Sequence, residues 1–119
     1  MASTDADKTA IADYIASRGS KVTAHSGDPG KTGANQIGTS SGNTTWGAAA
    51  IVTDPTDGEV AVATGSPVPF TIPASTTVSH FGIWDDDTFL RGYELDASIT
   101  VNAAGSAPVD LTPKIKYKG

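Results

Sequence analysis

Cysteine is absent from this 119-residue chain. That excludes a disulfide framework, a thiolate zinc centre and a cysteine nucleophile. Charge is also scarce. Charged residues make up 18%, against ~25% in an average soluble domain. The balance is acidic, with 8 Lys and Arg against 13 Asp and Glu and a net charge of −5. A duplex-binding module carries a basic stripe. None occurs here before the last few residues, so no nucleic-acid partner is expected. No apolar run approaches the ~18 residues needed to span a bilayer, so no membrane partner is expected either. The stretch Met1 to Ala16 is acidic and amphipathic, unlike a secretory signal.

What fills the chain is small. Ser, Thr, Ala and Gly replace much of the missing charge, with 13 Gly and 7 Pro. Such residues suit turns and short strands around a modest core. The length fits a single domain, residues 1–119.

One helix is predicted, over about residues 5–17. Thr4 with Asp7 three residues on is a capping-box variant, and Asp5 and Asp7 suit the positive end of the helix dipole. Ile11, Tyr14, Ile15 and Arg18 share one face. Gly19 is placed to close the helix in a left-handed conformation. A helix this short, with this stripe, needs a surface to pack on.

The rest reads as strands. Lys21 to His25 is short. Residues 26–45 form a long polar excursion, dense in turn formers. Thr44 to Trp46 begins a strand that Gly47 to Val52 continues. Asp54 to Gly58 is a turn. Glu59 to Ala63 and Val68 to Ile72 alternate, and Pro69 argues for an edge. Thr77 to Trp84 is the strongest strand. It turns through Asp85, Asp86 and Asp87 into Thr88 to Leu95, a hairpin. Ser98 to Asn102, Val109 to Leu111 and Lys114 to Tyr117 complete the set. Short strands separated by frequent turns predict a mainly β fold. The expected form is a β-sandwich, jelly-roll-like, with one N-terminal α-helix.

The chemical motifs fail on inspection. Gly30-Lys31-Thr32 resembles the end of a phosphate loop, but position 25 is His and no helix follows. The three aspartates lack the spacing of a helix–loop–helix calcium site. His25 and His80, the two histidines, have no nucleophile elbow or convergent partner set. No catalytic, cofactor-binding or metal-binding residue is expected, and the chain is not expected to be an enzyme. Trp46, Phe70, Phe81, Trp84, Phe89 and Tyr93 suit a sugar-stacking platform or a core, and the core has first claim on so few large side chains. At the C-terminus, Lys114, Lys116 and Lys118 share one strand face, with Ile115 and Tyr117 on the other. They either guard an edge or dock to an acidic neighbour.

Two stretches carry a resemblance. One is His25-Ser26-Gly27-Asp28-Pro29-Gly30-Lys31-Thr32-Gly33-Ala34-Asn35-Gln36. The other is Trp46-Gly47-Ala48-Ala49 continued by Phe70 to Asp85. Together the chain resembles small virion proteins of tailed phages, especially those of actinobacteria, labelled head decoration, minor capsid, minor tail or tail fibre proteins. The resemblance spans roughly residues 5–100. Where such relatives tend to carry Gly-Xaa-Tyr-Xaa-Arg, this chain has Thr39-Ser40-Ser41-Gly42-Asn43-Thr44-Thr45. The resemblance implies a capsid decoration protein on the virion exterior, made in the bacterial host cytoplasm. Its implied partners are the major capsid protein lattice and further copies of itself in a symmetric oligomer. The alternative is a tail or fibre component at the host surface. Neither reading needs a cofactor. The expected contact residues are Ile11, Tyr14 and Ile15 on the helix, Asp28, Pro29, Lys31 and Asn35 in the excursion, and Lys114, Lys116 and Lys118 at the end.

Overall fold

The computed structural model describes residues 4–38, 41–102 and 105–117. Lys118 lies outside them. The chain is mainly β, with one N-terminal helix and several antiparallel sheets arranged like a β-sandwich.

Helix α1 spans Asp5–Ser17. Thr4 caps it, its hydroxyl accepting from the Asp7 N–H at 3.2 Å. The helix ends differently from expectation. Arg18 forms the C-cap in a right-handed conformation, and Gly19 takes no positive φ. Gly19 is needed for space: a Cβ there would lie 2.5 Å from the Trp84 carbonyl oxygen. The buried face also shifts. Ala12 and Ala16 point inward, Ile11 and Ile15 are half-buried, and Tyr14 is 66% exposed. The inward stripe is narrower than the isoleucines suggest, because two alanines four residues apart let the helix approach its sheet closely.

The strands are β1 (Lys21–His25), β2 (Gly42–Asn43), β3 (Ala50–Asp54), β4 (Gly58–Thr64), β5 (Val68–Ile72), β6 (Thr76–Asp85), β7 (Thr88–Val101), β8 (Ala107–Leu111) and β9 (Lys114–Tyr117). They form a four-stranded sheet in the order β2-β1-β6-β7, a three-stranded sheet β3-β4-β9 and a ribbon β5-β8. Pro69 sits in that ribbon, bonded to one neighbour only, where a missing N–H is tolerated.

Two expectations are corrected. Thr44 to Trp46 is not a strand: Trp46 makes a single bridge to Gly65, and pairing resumes at Ala50. Thr88 to Leu95 and Ser98 to Asn102 are not separate, since β7 runs through both. The break is a bulge. Val78 pairs with Ile99 and His80 with Glu94, so one residue of β6 opposes four of β7. The apolar alternation loses phase there without ending the strand.

The larger core lies between the four-stranded sheet and the ribbon. The cross-strand pairs Val22–Ile83 and Ala24–Phe81 meet Val68, Phe70, Ile72 and Leu111. A smaller core joins α1 to the three-stranded sheet through Ala16, Ala63 and Ile115. Trp46 and Tyr93 pack against both, so the two cores are physically continuous. Fully burying Ile115 contributes about 2–3 kcal/mol.

Candidate functional site

The second face of the four-stranded sheet carries the polar groups. On a strand, alternate residues share a face, so Lys21, Thr23 and His25 of β1 lie opposite Trp84, Gly82 and His80 of β6. The Trp84 indole N–H donates to the Thr23 hydroxyl at 2.9 Å. That hydroxyl lies 2.6 Å from His25 Nε2, and His25 Nδ1 lies 2.7 Å from the Ala34 carbonyl. A carbonyl only accepts, so Nδ1 carries the proton and Nε2 accepts from Thr23. The result is a directional relay, from indole to hydroxyl to imidazole to loop carbonyl. Burial pushes the His25 pKa below its ordinary value; the Ala34 bond opposes this, and neighbouring His80 adds to it. Thr23 and His25 are 2% and 0% exposed. Their spacing suits a nucleophile and base, but the pair is sealed from solvent and acts as a clamp. His80 bonds Ser79 at 2.7 Å and lies 4.0 Å from Glu94.

Gly82 makes the relay possible. A Cβ there would fall 2.7 Å from the Thr23 hydroxyl and 2.8 Å from His25 Nε2.

The clamp holds the first part of the polar excursion. Asp28 Oδ1 accepts from the Gly30 N–H at 2.9 Å, and Asn35 Nδ2 donates to the Asp28 carbonyl at 3.0 Å. The Gly33 and Ala34 N–H groups both donate to the Pro29 carbonyl at 3.0 Å. Ile37 N–H closes back on Ala24 at 2.9 Å. Residues 26–37 are therefore an ordered cover on the sheet. Pro29 is corrected here: it is fully buried and seated on Gly92, not part of an exposed turn or contact face. Asp28, Lys31 and Asn35 remain exposed.

The proposed contact residues occupy separate places. Ile15 packs into the smaller core, while Tyr14 projects outward. Lys114 and Lys116 lie on the face of β9 away from buried Ile115. Lys116 reaches Asp54 at 3.8 Å. Strand β9 is an outer strand of its sheet, where lysines discourage further pairing.

One concavity went unforeseen. A cleft of about 750 Å³ opens where the end of α1, the start of β1, the β2–Trp46 segment and the β6–β7 tip meet. Trp46 and Trp84 both line it. The Trp46 indole N–H donates to the Gly19 carbonyl at 2.9 Å. Lys21 Nζ stands 5.7 Å from the Trp84 ring centre and donates to the Asp86 carbonyl at 3.2 Å. Trp46 also lines an adjoining hollow of about 300 Å³. Trp46 and Trp84 belong to the aromatic set whose first expected use is the core, so the sequence marks them without placing them at a cleft. Arg18, Lys21 and Asn43 carry no signal, because nothing local brings them together.

Among the described residues, no three His, Asp or Glu converge as metal ligands, and no helix is long and apolar enough to cross a membrane. Comparison with protein-family models, with curated proteins and with solved structures finds no match to this chain.

Proposed function

We propose that this chain is a structural protein of a tailed-phage virion: a capsid decoration, or minor capsid, protein that binds and stabilises the major capsid protein lattice on the particle exterior. The observation that carries the reading is where the resembling stretches lie. Residues 25–36 are the last residue of β1 and the loop clamped over the sheet, residues 70–85 run through β5 and β6, and Trp46 packs against the core those strands share, so the stretches meet in one structural unit. The relay residues act in that unit's own hydrogen bonding, consistent with a protein that works through surface contact. A standard interface removes ~800 Å² per partner. Against an accessible surface of 6545 Å², that is roughly one-eighth of this chain. Exposed Tyr14, Asp28 and Lys31 are the contacts we assign to the lattice or to further copies in a symmetric oligomer.

Quantitative mass spectrometry of purified virions tests this. About one copy per capsid subunit or trimer position is expected, and only a few copies per particle would overturn it. A tail or fibre role at the host surface is the second reading, favoured by the two tryptophans that line one open cleft.

A further inference from the structure

We propose that the cleft between the end of α1 and the β6–β7 tip is a saccharide-binding site, suited to a neutral polyhydroxylated ring. Its volume of about 750 Å³ falls within the ~300–1,000 Å³ typical of small-ligand sites. Its charged lining is balanced: Arg18 and Lys21 stand with Asp85 and Asp86 around the same space, and Lys21 is bonded to the Asp86 carbonyl. An anion entering meets the aspartates, and a cation meets the basic pair. A neutral ligand offering both hydroxyl donors and hydroxyl acceptors meets complementary groups on every side. Asn43 and Thr45 add further polar groups at the wall.

The tryptophans supply the second half of the argument. Each indole N–H is already bonded inward, Trp46 to Gly19 and Trp84 to Thr23. Both rings are therefore held in place, with their polar atoms satisfied and carbon surface left for the cleft. Lys21 shares the Trp84 ring, which leaves Trp46 as the stacking plate and Lys21 as a donor at its rim. Trp46 stands between this cleft and the adjoining hollow, so part of the indole faces solvent rather than core. A sugar ring presents C–H groups to such a plate and hydroxyls to the polar wall, a division that a flat apolar ligand cannot match.

The test uses the full chain, 15N-labelled, titrated separately with D-glucose, D-galactose, D-mannose, L-rhamnose and N-acetyl-D-glucosamine, with inorganic phosphate as the ionic control. The expected result is a saturable shift, with at least one sugar, of the Trp46 indole signal and the Ser20, Asn43 and Thr45 amides. Asn43→Ala and Arg18→Ala, both at exposed positions, are expected to weaken that binding about fivefold each, one hydrogen bond's worth. Trp46→Phe is expected to weaken it further if it folds; the other two variants decide the matter if it does not. The proposal is overturned by the absence of saturable shifts with all five sugars, by shifts that map elsewhere, by unchanged affinity in both polar variants, or by phosphate acting in place of the sugars. Virion copy number does not bear on these outcomes, so this inference and the capsid reading fail separately.

Discussion

Replacing Thr23 with valine removes one oxygen and leaves the side-chain shape nearly unchanged. That oxygen is the centre of the relay, accepting from Trp84 at 2.9 Å and donating to His25 at 2.6 Å. In Thr23→Val both neighbours lose their partner at once. A buried polar group left unpaired costs ~1–3 kcal/mol. The His25 ring is fully buried and has no route to water at Nε2, so its loss falls in the upper part of that range. Trp84 is half-buried and recovers part of its loss by hydration. The sum is about 2–4 kcal/mol. For a domain of this size, each kcal/mol lowers the melting temperature by about 4 °C, so a fall of about 8–16 °C is expected. Urea titration followed by tryptophan fluorescence, with calorimetry alongside, measures both quantities. A cycle with Trp84→Phe separates the shared bond, with a coupling of about 1 kcal/mol expected. If Thr23→Val costs less than about 0.5 kcal/mol, the hydroxyl is not the relay's centre.

Three further outcomes follow from the same geometry. Because burial holds the His25 pKa below its ordinary value, the unfolded chain takes up the proton first as pH falls. This contribution to stability is therefore complete above the unfolded imidazole pKa of about 6.5 and declines below it. A series of urea midpoints should drop from about pH 7 to about pH 5, less so in His25→Gln; a flat wild-type series would refute the assignment. Gly82→Ala drives a methyl group between Thr23 and His25 and should cost about 1–3 kcal/mol, whereas an unchanged urea midpoint would mean that the sheet opens there without strain. On the helix, Ala16→Leu overpacks the contact with Ala63 and Ile115 and should cost about 1–3 kcal/mol. Tyr14→Ala should stay within about 0.5 kcal/mol, and thermal melts that reversed this order would show the helix rotated from the face described.

The fold was legible where one local signal decided it. Thr4 and the two following aspartates set the start of α1, alternation locates β4 and β5, and a run of β-branched and aromatic residues locates β6, each within a residue or two. Legibility failed where distant residues decide. Nothing near Gly19 reveals that the Trp84 carbonyl will lie against it, so it looked like a left-handed cap. The bulge opposite Ser79 disturbs the alternation of β7, and a period of two cannot distinguish a bulge from a strand end. Pro29 in a run of turn formers suggests a solvated loop. Its burial depends on Gly92, more than sixty residues away in the chain. For the histidines, neither the partners of His25, Thr23 and Ala34, nor that of His80, Ser79, are individually visible in the sequence.

The scarcity of large side chains links the fold to the cleft. With few aromatics available, Trp46 serves both cores and the cleft wall, and Trp84 serves both the relay and that wall. The floor of the cleft is thus set by the docking of α1 and by the closing of the loop over His25, rather than by a separate loop that could order on its own. If α1 is undocked, the Gly19 carbonyl no longer fixes the Trp46 indole; if the relay is broken, Trp84 is free to turn. A ligand in this cleft therefore binds the native arrangement alone, and by mass action must raise the stability of both cores together. In a chain with so little apolar surface to bury, that coupling gives an external contact a direct hold on the whole fold.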